Sequence, residues 1–124
     1  MRRLIAAAAL SVIIITSYFT GSYIINDACR KANEKLEEVV KVYETDNNAE
    51  KQAKELENYW SKKEKHLSFI ANHSTIDDIE LAISSLVVYS NEPDNKIFYE
   101  YSSNVKTLLH QLLEDTKASV HSIF

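Results

Sequence analysis

"INDACRKANEKLEEVVKVYE", Ile25 to Glu44, decides how this chain folds. Ala28, Ala32, Leu36, Val39 and Tyr43 recur in it at spacings of four, four, three and four, the repeat that lines one face of an α-helix. Neither breaker interrupts them, because the single Gly is Gly21 and the single Pro is Pro93. The spacing predicts a helix that enters from upstream and runs on to about Glu44.

Upstream lies "LIAAAALSVIIITSYFTGSYII", Leu4 to Ile25, which holds no Lys, Arg, Asp or Glu. At ~1.5 Å per residue such a helix reaches about 33 Å, enough to cross a hydrocarbon core of ~30 Å. Arg2 and Arg3 precede the run, while Tyr18, Phe19 and Tyr23 gather toward its far end, where aromatic rings favour the headgroup level. A cleaved signal peptide has a shorter apolar region, roughly 7–15 residues, closed by a small-x-small site. Thr20-Gly21-Ser22 fits that site poorly, so a retained signal anchor is expected. Lipidation at Cys29 is not, because Asn26 stands three residues before it, where a branched aliphatic is needed.

The division is therefore a short cytoplasmic tail and transmembrane anchor over 1–25, then an extracytoplasmic helical body over 26–124. Arg30, Lys31, Lys35 and Lys41 oppose this orientation on a simple count of positive charges. Long downstream domains translocate largely regardless of charge, which favours the body outside. The expected location is the cell membrane, single-pass, with the lipid bilayer as first partner. Ser17 and Gly21, four apart, offer a small-residue surface for packing against another membrane helix.

Without Arg2 and Arg3 the 14 basic residues become 12 against 18 acidic, a formal charge of −6 for the body. Nucleic acid is excluded as a partner, since phosphate contacts need a basic surface. The run "SKKEKH", Ser61 to His66, reads as a solvated helical face. A single cysteine excludes an internal disulfide framework, and Cys29 reads as a free, partly buried thiol.

Downstream, "TDNN", Thr45 to Asn48, supplies a turn and N-cap residues. A second stripe, Ala53, Leu56, Trp60, Leu67 and Ile70, misses a beat at Lys63 and predicts a helix ending near Ala71. Ile76, Ile79, Ile83 and Leu86 form a third stripe, with Ser74 or Thr75 before it as cap and Asp77, Asp78 and Glu80 at the positive end of the helix dipole. "NEPDN", Asn91 to Asn95, is the next turn. The last helix runs from about Lys96 to Ser122, lined by Phe98, Tyr101, Val105, Leu108, Leu112 and Ala118. Loops of four or five residues favour antiparallel neighbours. The fold class is all-α: the transmembrane helix extended into a small up-and-down antiparallel bundle, its core built from Leu36, Val39, Trp60, Ile70, Ile79, Leu86, Phe98, Leu108 and Leu112.

The densest polar chemistry is "FIANHSTIDDI", Phe69 to Ile79. His73 and Asp77 are four apart and His66 is seven before His73, but zinc needs three or four converging ligands, and a helix break near Asn72 separates the two histidines. His73 is expected to be structural, packed beside Trp60 or bonded to the interhelix turn. Ser68 and Ser74 lack the oriented base and oxyanion site of a nucleophile. No catalytic residue, metal, cofactor or small-molecule substrate is expected.

The chain also resembles a known family, on Trp60, on Ser68 to Ile79 and on the closing "SVHSIF". It is similar to the domain-of-unknown-function family 4363, small bacterial proteins, mainly of Firmicutes, with an N-terminal membrane segment and a helical body. Their pattern is a Trp before a histidine-centred H-x-x-I-D/E-x-I block, here His73, Ile76, Asp77 and Ile79, and an Asn-Ile-Phe-like ending, where Ser122 replaces the Asn. The resemblance implies topology and bacterial origin; it implies no activity. The residues leave a membrane-anchored, non-enzymatic interaction or assembly protein whose partner is another membrane protein or itself. The alternative is an extracytoplasmic module that binds or senses a small ligand through a partner, with the surroundings of Trp60 and Tyr101 as the first place for a ligand.

Overall fold

The computed structural model describes residues 1–69, 71, 73–93 and 95–123, the last six of these as backbone only. Four helices follow one another: α1 (Arg2–Asp46), α2 (Glu50–Leu67), α3 (His73–Tyr89) and α4 (Asn95–Ile123). There is no strand among the described residues. Each helix packs against its neighbours in sequence and α4 packs against α1, so the four form a closed up-and-down square.

α1 is one unbroken helix through the boundary between 25 and 26, about 68 Å long at ~1.5 Å per residue. What changes there is burial. Leu4, Leu10, Val12 and Ile13 are exposed, whereas Ile25, Ala28, Cys29, Ala32, Leu36, Val39 and Tyr43 form a buried stripe. Small residues at 28, 29 and 32 let neighbouring helices approach closely where the stripe starts. Asn47 then stops the helix in the left-handed region (φ 57°), its N–H donating to the Tyr43 carbonyl at 2.8 Å. Asn48 accepts from the Glu50 amide through its side chain at 3.2 Å, the local bond expected of a turn asparagine.

The far end of the bundle is tied across its two turns. The Ala49 amide donates to the Ser90 carbonyl at 2.9 Å, and the Asn91 side-chain amide donates to Glu50 at 3.2 Å. The Tyr43 hydroxyl bonds to the Glu92 carbonyl at 2.8 Å and to Asn95 Oδ1 at 3.0 Å, while its ring stacks on Phe98 with centroids 3.7 Å apart. One side chain thus locks the top of α1 to the start of α4.

Most expected core positions are buried: Leu36, Val39, Trp60, Ile79, Leu86, Phe98 and Leu112. Leu108 is a correction, since it is only half-buried and Leu109 fills the core beside it. Ile70 and Ala118, the remaining stripe residues, lie outside the residues whose side chains are described. The second helix ends at Leu67, four residues short of the expected Ala71.

Candidate functional site

α3 begins at His73, with Ser74 and Thr75 in its first turn. The preceding position, 72, lies outside the described residues. His73, Ser74 and Asp77 are exposed, while Thr75, Ile76 and Ile79 are buried on the face toward the core. His73 is thus a surface residue at the start of α3. Trp60 is buried at the centre of α2, and neither its Nε1 nor the Tyr59 hydroxyl has a hydrogen-bond partner among the described residues.

The chemistry of the α2–α3 face lies in carboxylates. Glu64, Asp77 and Glu80 each bring an oxygen within 4.8 Å of the others. Desolvation, then the hydrogen bond with Glu80, then the negative charges of Glu80 and Asp77 push the Glu64 carboxyl up to about 7. A neutral Glu64 can donate to its neighbour, so near neutral pH the pair shares a proton instead of repelling. Three oxygens could touch one hard divalent cation but fall short of the six to eight ligands such ions take. Spacing along the chain reads Asp77 and Glu80 as helix-dipole partners and Glu64, within Ser61 to His66, as part of a solvated face, whereas the structure brings the three together. The missing signal was pairing across helices, which no single periodicity carries.

A second arrangement lies where α1 leaves its uncovered run. Asn26, Cys29, Arg30, Leu109, His110 and Leu113 line an open groove of about 460 Å³ between α1 and α4. Burial pushes the Cys29 thiol up to about 12, so it stays protonated and unreactive at neutral pH. Arg30 bonds Asp27 at 2.8 Å and Lys31 approaches the same carboxylate at 3.3 Å, which holds Asp27 below the usual carboxylate range. Lower on α1, Ser17 and Gly21 share a groove with Thr116 of α4, so this small-residue surface already faces a helix of its own chain.

A family model for a domain of unknown function, DUF4363, matches residues 19–123, which takes in the bundle and the upper part of the apolar run. The chain belongs to DUF4363. No curated protein and no solved structure matches it. The DUF4363 range contains Trp60 and the His73–Ile79 block, and in this member their placement is architectural: Trp60, Ile76 and Ile79 fill the core while His73 and Asp77 face outward.

Proposed function

We propose that this DUF4363 protein is a membrane-anchored, non-catalytic interaction or assembly protein, with its N-terminus cytoplasmic and its bundle outside. Its partner is another membrane protein or a second copy of itself. The observation that carries the reading is the change of face along α1. Leu4, Leu10, Val12 and Ile13 leave apolar surface uncovered, while from Ile25 onward the same helix is built into a packed core. Uncovered apolar surface on that scale marks a membrane or a partner, and α1 is long and apolar enough to cross a bilayer. Confinement to a membrane raises the effective concentration of the bundle near other membrane proteins without any new contact.

Cross-linking in native membranes, followed by identification of what is attached, tests this, with α1 residues 4–25 replaced by an unrelated span as control. Recovery of a specific membrane protein or a dimer, lost or altered in the control, supports the role. Recovery of the monomer alone overturns it. The groove between Cys29 and Leu109 favours a second reading, a ligand-binding module, because its volume falls within the range of small-molecule sites. A small molecule retained through purification and found by native mass spectrometry would establish that one instead.

A further inference from the structure

The groove between α1 and α4 opens where each helix turns the same spacing toward the other. Asn26, Cys29, Arg30 and Asn33 line it on α1, and on α4 the identical spacing starts at Lys106 and ends at Leu113. Residues three, four and seven apart share one helix face, so two stripes meet across about 460 Å³. Cys29 and Leu109 are buried and make the floor, which the half-buried Leu113 continues at the lower end. Arg30, Lys106 and His110 stand exposed around it. In a chain with more acidic than basic residues, every titratable group lining this groove other than the buried thiol is basic. Asp27 and Glu34 also act on Arg30, and Glu114 lies 3.9 Å from His110, but none of these three carboxylates lines the groove. The bond to Asp27 uses one of the five N–H donors of Arg30. Lys106 forms no ion pair among the described residues. Above Asn33 the seam carries Glu37, Lys41 and Glu44, so the purely basic stretch ends there. Below Leu113 the exposed Glu114, Asp115 and Lys117 part it from the uncovered run of α1.

We infer that this groove binds a small water-borne amphiphile with an anionic head, of the class of medium-chain or aryl carboxylates. The head lies among Lys106, Arg30 and His110, and an apolar body about 10 Å long, the rise from Lys106 to Leu113, lies on Cys29, Leu109 and Leu113. The inference rests on reading the groove as a ligand site, and it stands whether or not the bundle also holds a membrane partner. Charge decides the head. A carboxylate takes the planar fork of Arg30 and the point charge of Lys106, whereas a cationic head meets like charge and a neutral one gains little from either. The floor decides the body, because leucine carbons and a protonated thiol offer dispersion contact and almost no hydrogen bonding. A bilayer phospholipid would have to bring its chains past Glu114, Asp115 and Lys117, so the ligand arrives from water.

The test is photolabelling of the full chain in phosphatidylcholine nanodiscs, which supply no anionic lipid. Decanoic acid, decanol and decyltrimethylammonium each carry the same diazirine, and labelled peptides are located by mass spectrometry. The expected result is saturable labelling by the acid of peptides covering 26–33 and 106–113, displaced by unlabelled decanoate. The alcohol and the ammonium should label them about tenfold less, and Lys106→Glu should lower labelling by the acid by a similar factor, the scale of one charge-assisted hydrogen bond. Lys62→Glu, at an exposed position of α2, is the matched control and should change nothing. Equal labelling by all three probes overturns the anionic head and leaves a ligand site standing. Acid labelling undiminished in Lys106→Glu overturns the placement of the head. Absence of groove labelling by every probe overturns the inference together with the ligand-site reading. Groove labelling by a diazirine phosphatidylglycerol that decanoate fails to displace assigns the groove to membrane lipid, which also overturns the inference.

Discussion

Glu64 carries the clearest pH dependence in the molecule, because its carboxyl is raised by burial and by the neighbouring Glu80 and Asp77. The unfolded chain titrates this group near 4.5, the native state near 7, so between those values the native state binds the extra proton. Its contribution to stability is fully present below pH 4.5 and is lost as pH rises through 7. Replacing Glu64 by Gln should leave the melting temperature at pH 5 nearly unchanged and raise it at pH 8; equal effects at both pH values would refute the assignment. Cys29 gives a second prediction at this scale. With its thiol near 12 it holds ~10³-fold less thiolate than an ordinary cysteine near 8.5. Maleimide should label it far more slowly in the native chain than in urea, and oxidation of the native protein should yield no disulfide-linked dimer on non-reducing gels.

At the scale of the element, α1 joins two environments in one rod, and its stiffness fixes where the bundle stands above the apolar run. Asn26 lies at the junction. Asn26→Pro removes a backbone hydrogen bond and drives the ring into the preceding turn, at a cost of ~3 kcal/mol or more. Urea unfolding of the reconstituted chain should report that loss, and the groove shared by Gly21 and Thr116 should open with the kink. An unchanged midpoint would mean that the helix is already interrupted there. α4 shows the limit of reading an element alone. Its stripe of Phe98, Val105 and Leu112 was evident from spacing, yet Leu109 rather than Leu108 fills the core, because the helix is contacted from two sides, by α3 and α1, and both adjacent leucines fit an apolar face that wide.

For the whole molecule the prediction concerns sidedness. Protease added to intact protoplasts should digest the bundle and leave a fragment beginning at the N-terminus, on the reading that the body lies outside. Protection of the bundle together with a cytoplasmic marker would reverse the orientation, and a mature chain beginning near Tyr23 would replace the anchor by a cleaved signal. The square arrangement adds that the far end should be among the last parts cut, since it is tied through Ala49, Ser90 and Tyr43.

By itself the sequence determined the helices and their inward faces. Ala28 to Tyr43 and Ile76 to Leu86 are local repeats, and helical periodicity is set by backbone geometry that every residue shares. It also determined the uncharged length of Leu4 to Ile25, which composition alone supplies. What only the tertiary structure decided is what meets across helices: the carboxylates of Glu64, Asp77 and Glu80, the Tyr43 lock on Glu92 and Asn95, and the descent of α4 to Gly21. Those depend on the order of helices around the square and on their relative heights. Such quantities follow from how residues far apart in sequence pack, so no repeat along the chain encodes them.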